Sequence, residues 1–266
     1  MRYFFHIAYQ GQYFSGWQKQ PGVKSVQDVI EQTLYKIFKT PIPIIGCGRT
    51  DAHVHASQFF FHADIEQEFD FDLLYILNKA LPYNISIFDI IKMEGKPHAR
   101  FDAVQRKYDY FVHTYKDPFL SNQSSFYQVK NLDFDKMKAV VKLLPQYKDY
   151  RAFCTHPDKY DHTICNVMEA GLFVNPKGDR FRFHIASNRF LGKMIRIIMG
   201  KILMVGKGEL SFDEFESELI NLKASKLSLP AHPTGLYLSK VTYPYLNLQP
   251  GTEIISAIQG TEWLSV

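Results

Sequence analysis

The stretch "GCGRTDAHVHA", residues 46–56, sets Arg49, Asp51, His53 and His55 at alternate positions directly after two glycines. Three chemistries suit those residue types. Asp51 can cap a tight turn, since glycines permit backbone angles that other residues resist. His53 and His55, two apart, would share one face of a strand and offer a metal its first two ligands. Alternatively Asp51 is a catalytic carboxylate, kept ionised by a nearby guanidinium that lowers its pKa against the raising effect of burial. Taken alone, the local stretch favours the turn, because exposed loop aspartates usually cap something. The metal reading needs further ligands on later strands, and the remaining histidines form no second ligand pair.

A guanidinium has one conspicuous source. In "NRFLGKMIRIIMGKILMVGKG" the apolar run predicts a long helix from Asn188 to Val205. At ~100° per residue, Arg189, Lys193 and Arg196 fall on one stripe together with Gly192 and Gly200. A solvated basic face is the usual fate of such a stripe. The glycines point instead to close approach of another backbone or a ligand, and an arginine rising from so apolar a helix would suit a buried carboxylate. Tyr108 and Tyr110 share a face of the strand "RKYDYFVHTY". Either can pack in the core or stack on a flat base.

These residues must be held by a scaffold that the pattern makes legible. "RYFFHIAY" reads as a strand, and "SVQDVIEQTLYKIF" as a helix capped by Ser25 with Asp28 in the box position. "IPIIGC" and "VHASQFFFHA" are strands, "DFDLLYILNKAL" a helix stopped by Pro82, and "ISIFDIIKM" a strand. The order is β-α-β-β-α-β. From Arg106 it repeats: strand "KYDYFVHTY", helix "DFDKMKAVVKLL", strands "VMEAGLFV" and "RFRFHIAS", the long helix, a capped helix opening "SFDEFESEL", and strand "GLYLSKVTY". The expected fold is therefore α+β: two similar halves, 1–103 and 104–245, forming a continuous, mainly antiparallel sheet with helices packed on it and a central cleft. Residues 246–266 read as an appended tail.

Composition sets bounds on partners. The 266 residues carry 31 basic and 27 acidic side chains, a mild excess that fits a polyanion partner without approaching an arginine-rich signature. The excess is confined to one half: residues 1–103 hold 10 basic and 11 acidic groups, residues 104–266 hold 21 and 16. Three scattered cysteines, Cys47, Cys154 and Cys165, make neither a disulfide framework nor a closed zinc site and suit a reducing cytoplasm. No run approaches the ~20 apolar residues of a membrane span, and the N-terminal residues carry no secretory pattern, so a soluble, untargeted protein is expected.

With these residues in view, the chain resembles the tRNA pseudouridine synthase A family over nearly its whole length. The matching pieces are "GWQKQ" (16–20), "SVQ" (25–27), "GRTDAHVHA" (48–56), "HARFDA" (98–103), "RKYDY" (106–110), "NRFLGKMIR" (188–196) and "GLYLSKVTYP" (235–244), in the family's order. The resemblance implies an isomerase that converts uridine to pseudouridine on the 3′ side of the tRNA anticodon stem-loop, without metal or organic cofactor, as a homodimer that binds tRNA across both subunits. It implies that Asp51 is the catalytic aspartate, Tyr108 the tyrosine at the target base and Arg196 the arginine paired with the aspartate. Arg49 would support the flipped nucleotide, and Arg189 and Lys193 would bind substrate. Three positions depart from the family's usual residue: Gln10 replaces Asp, His53 replaces Gly and His162 replaces Arg. Three other functions compete with this reading: an RNA-binding or tRNA-chaperone protein without turnover, a synthase with a different RNA target site, and an H-x-H metallohydrolase. No G-x-x-x-x-G-K-[ST] or G-x-G-x-x-G motif marks a nucleotide cofactor.

Overall fold

A computed structural model describes residues 1–224 and 229–252 and the backbone of 264–265. The fold is α+β, with mainly antiparallel strands and, among the described residues, five α-helices. The chain forms two compact units. One is Met1–Arg106 together with the chain returning at Tyr237, and the other begins with Lys107–Leu236.

In the first unit β1 (Arg2–Tyr9) lies between β3 (His55–Asp64) and β4 (Ile85–Lys92), antiparallel to both. β2 (Ile44–Gly46) pairs with β3, and β9 (Leu236–Thr242) joins the start of β3 in parallel through His55↔Tyr237 and Ala56↔Leu238. β1 and β3 are buried on both faces, which explains why neither sequence alternates apolar and polar residues; in β3 the buried set includes Ser57, Gln58 and His62. Phe5 stacks on Phe61 at 4.5 Å on one face, while Phe4 and Phe60 meet Tyr243 edge-on at 5.6 and 5.3 Å on the other. Helix α1 (Val26–Phe38) starts where expected, the Ser25 hydroxyl accepting the Asp28 N–H, and α2 (Leu73–Ala80) stops short of Pro82. The predicted tail does not stand apart over its described part: Gln58 Nε2 donates to the Leu248 carbonyl, and Gly251 sits so close to the Phe88 ring that a Cβ would come within 2.5 Å of it. Beyond residue 252 that expectation concerns residues outside the described ones, apart from β10.

In the second unit β5 (Gln105–His113) neighbours β8 (Arg180–Ser187), which pairs antiparallel with β7 (Val167–Val174). β10 (Leu264–Ser265) borders β7, and β6 (Ser125–Phe126) runs parallel to the end of β5. The turn between β7 and β8 is closed by Asn175, whose side chain bonds both the Asp179 N–H and the Asp179 carboxylate. Helices α3 (Phe134–Leu143), α4 (Met194–Gly206) and α5 (Phe212–Asn221) pack together. α5 carries the reciprocal Ser211–Glu214 capping box that its sequence announces.

One helix begins later than the apolar run predicts. α4 opens at Met194, not at Asn188. The backbone of Gly192 is already committed: its N–H donates to the Tyr160 hydroxyl and its carbonyl accepts the Thr155 N–H. Lys193 then adopts φ 58°, a left-handed conformation that a right-handed helix cannot include. Arg189, Gly192 and Lys193 therefore belong to a loop, and the single helical stripe shared by Arg189, Lys193 and Arg196 does not exist.

Candidate active site

Asp51 lies in the link between β2 and β3, at the first position of a turn closed by Val54 N–H donating to the Asp51 carbonyl at 3.2 Å. His53, third in that turn, has φ 65°, in the left-handed region. The turn is fixed from beneath by the segment that follows β1. Trp17 N–H donates to the Thr50 carbonyl, His53 N–H donates to the Phe14 carbonyl, and the Tyr9 and Thr50 hydroxyls share a bond of 2.8 Å. Contact there is backbone on backbone: a Cβ on Gly16 would sit 2.5 Å from the Thr50 carbonyl oxygen. Such packing leaves no slack. Thr50 is buried, Asp51 is half-buried and Arg49 is exposed, so the carboxylate sits at the surface end of a rigid support.

His53 and His55 do not form a pair on one strand face. β3 begins only at His55, whose buried ring accepts the Gly11 N–H at 3.3 Å and stacks on Tyr237 at 4.6 Å. His53 is exposed, and its Nδ1 donates to the Gln12 carbonyl at 2.9 Å. Each imidazole is thus engaged with its own backbone partner, and no group of three or more metal-ligating side chains gathers among the described residues. The thiols are equally unsuited to nucleophilic work. Burial pushes Cys47 up to about 11 and Cys165 up to about 12, and also raises Cys154, so none is a thiolate near neutrality.

Sequence reasoning missed how the motif's near end is held. Arg106 spreads its guanidinium over three carbonyls, those of Cys47, Arg100 and Ala103, at 2.8, 2.6 and 2.9 Å. It ties the "HARFDA" segment to the glycine-rich approach to Asp51. In the sequence it stood out only as the first residue of the matching piece "RKYDY" and half of a basic doublet, neither of which speaks of carbonyl binding.

In the second unit the two tyrosines of β5 part company. Tyr110 is fully buried, its hydroxyl donating to the His232 carbonyl and sharing a further bond with the Ser125 hydroxyl, and burial raises its pKa well above the usual value. It is a core residue. Tyr108 is half-buried and packs edge-on against Phe190 at 5.1 Å. Arg189 approaches His162 at 3.3 Å, and Lys193 is exposed just ahead of α4. Arg196, on α4, donates through Nε to the Ala231 carbonyl at 2.7 Å while its own carbonyl accepts the Ala231 N–H. One turn later Gly200 meets the same segment, where a Cβ would fall 2.6 Å from the Leu229 carbonyl oxygen. For Gly200 the glycine signal meant close approach of a backbone, as read.

The comparisons with known proteins bear on both units. The sequence profile of the family described as tRNA pseudouridine synthase matches residues 147–244. A tRNA pseudouridine synthase A of Parabacteroides distasonis is 39% identical over 249 residues, covering 91% of this chain and 96% of that protein. The chain belongs to the tRNA pseudouridine synthase A family. Similar proteins of the same name in Porphyromonas gingivalis and Bacteroides fragilis are 36% and 37% identical, each over 91% of this chain. Since these alignments run through the Asp51 turn as well as the matched segment, both units fall within the family's extent. No helix among the described residues is long and apolar enough to cross a membrane.

Proposed function

We propose that this protein converts uridine to pseudouridine in tRNA, on the 3′ side of the anticodon stem-loop, with Asp51 as its catalytic carboxylate. The observation that carries the reading is the Asp51 turn: a half-buried carboxylate on a support braced by three backbone hydrogen bonds, in a chain that belongs to this family. The reaction is an isomerisation. The bond from ribose C1′ to uracil N1 breaks, the base turns, C1′ bonds to C5, and the C5 hydrogen leaves as a proton while N1 gains one. Nothing is oxidised and no group is transferred, so the balance calls for no metal and no organic cofactor.

A stem base must first be unstacked, at a cost of a few kcal/mol that protein contacts have to offset. Tyr108, half-exposed beside Phe190, is assigned the contact with the base. Arg196 and Arg49 are assigned the support of negative charge on carboxylate and nucleotide, Arg196 being pre-oriented by its bond to Ala231. Arg189 and Lys193, on a loop rather than a helix face, are suited to phosphate, for which a backbone-pinned loop provides fixed cations. Cytoplasmic tRNA is the natural substrate pool, and action as a homodimer completes the proposal.

Release of tritium from tRNA transcripts labelled at uridine C5 tests it. Wild-type protein is expected to release label from the anticodon stem-loop, and Asp51→Asn to release none while binding tRNA with nearly unchanged affinity. Turnover by Asp51→Asn overturns the assignment of Asp51. Wild-type binding without release would mark an RNA-binding protein that performs no isomerisation.

A further inference from the structure

His53 is two residues from Asp51 and occupies a backbone position, φ 65°, that a glycine would hold without steric cost. A side chain there has to compensate for that cost, and histidine is one of the residue types enriched in this region. What the imidazole gains is visible. Nδ1 donates to the Gln12 carbonyl at 2.9 Å, which belongs to the short helical turn Gly11–Tyr13 that follows β1. Because a carbonyl can only accept, the neutral ring must carry its proton on Nδ1, the less common tautomer of a free imidazole.

The bond closes a loop of constraints around the turn. Val54 N–H holds the Asp51 carbonyl, His53 N–H holds the Phe14 carbonyl, and the His53 ring holds the Gln12 carbonyl. Of the three, the last alone depends on a side chain. We infer that His53 is a positioning residue for Asp51: its imidazole clamps the Asp51–Val54 turn to the segment after β1 and fixes the direction of the carboxylate. The inference rests on the proposed role of Asp51, and it adds a second residue to that site.

Asparagine and glutamine separate the clamp from the ring. An Asn amide nitrogen stands at the δ position, where Nδ1 is now, and Asn also tolerates positive φ. Gln carries its nitrogen one bond too far. His53→Gly relieves the backbone but leaves the Gln12 carbonyl without this donor. In the tritium-release assay His53→Gly and His53→Gln are expected to lower kcat between about tenfold and a hundredfold at unchanged KM, the cost of a misdirected catalytic group. His53→Asn should restore kcat to within about twofold of wild type. Hydrogen exchange at the Val54 amide should quicken in the Gly variant and stay slow in the Asn variant, and nitrogen-15 spectra should show the Nδ1–H tautomer in the wild type.

If Asn falls with Gly and KM rises, the ring touches RNA itself and the clamp is overturned. Equal kcat and equal exchange in all four proteins overturns it as well. A wild type that makes no pseudouridine, yet whose Val54 protection follows residue 53 as described, would refute the proposed activity while supporting the clamp.

Discussion

At the scale of single residues, the buried charges decide how this protein responds to conditions. Lys201 and Glu218 face each other between α4 and α5 at 2.8 Å, both essentially without solvent exposure. Removing one partner strands the other, so Lys201→Met should cost about 3–5 kcal/mol in urea denaturation. The double variant Lys201→Met/Glu218→Leu should recover most of that, since an apolar pair of similar volume avoids the desolvation penalty. His62 gives a pH dependence. Burial, with smaller contributions from Arg2 and His98, holds its imidazole down at about 4, against 6.5 when free, and as a neutral acceptor it receives the Ala99 N–H at 3.1 Å. The unfolded chain therefore takes up the proton first. Stability from neutral His62 is complete above about pH 6.5 and is lost as the pH falls toward 4. His6, His113 and His184 are depressed by burial in the same direction, so the slope is shared. His62→Asn, whose Oδ1 can still accept the Ala99 N–H, should flatten part of the fall in the denaturation midpoint between pH 6.5 and pH 4; an unchanged slope would contradict the assignment.

At the scale of elements, the sequence was most legible where periodicity and caps agreed. The strand "RYFFHIAY" and the helices begun by Ser25 and Ser211 appear with the expected bounds, because each has a local chemical cause within three or four residues. The start of α4 was not legible, because what ends the ladder there is remote: Thr155 and Tyr160 take up the backbone of Gly192. Apolar content alone continues the helix through Phe190 and Leu191, and a single glycine, Gly192, weakens a helix without forbidding it. The Asp51 turn shows the same division, since Gly46 and Gly48 advertise a loop whereas its bracing through Trp17 and Phe14 is a tertiary fact. Gly200 tests how α4 is held. Gly200→Ala drives a methyl to 2.6 Å from the Leu229 carbonyl, a backbone atom that cannot swing aside, and should destabilise by about 1–3 kcal/mol. The same shift would disturb the reciprocal bonds between Arg196 and Ala231, so the variant should lose kcat at temperatures where it remains folded. Retention of full stability and activity would mean the segment yields without consequence.

At the scale of the whole molecule, the chain is not two consecutive beads. Whatever duplication the element order records, the first unit ends at Arg106 and resumes at Tyr237, so the last strand of the second repeat is built into the first. Alternation and turn signals cannot reveal this, because they specify that a strand exists and not which edge receives it. The returning segment fills particular places: Tyr237 stacks on His55 where β3 leaves the Asp51 turn, Val241 N–H donates to the Gln58 side chain, and the Tyr243 hydroxyl donates to the Ala99 carbonyl. Without it, β3 would present an unpaired edge beside the turn, and the aromatic face of Phe4 and Phe60 would lose its cover. A fragment of residues 1–106 should therefore aggregate or unfold without a cooperative transition. Joining residues 237–252 to it through a short flexible linker should give a soluble unit that melts cooperatively, because every contact just named is internal to that pair of segments. A cooperative, soluble 1–106 fragment would show instead that the strand from Leu236 is an accessory to this unit, and that the Asp51 turn is supported from the β1 side alone.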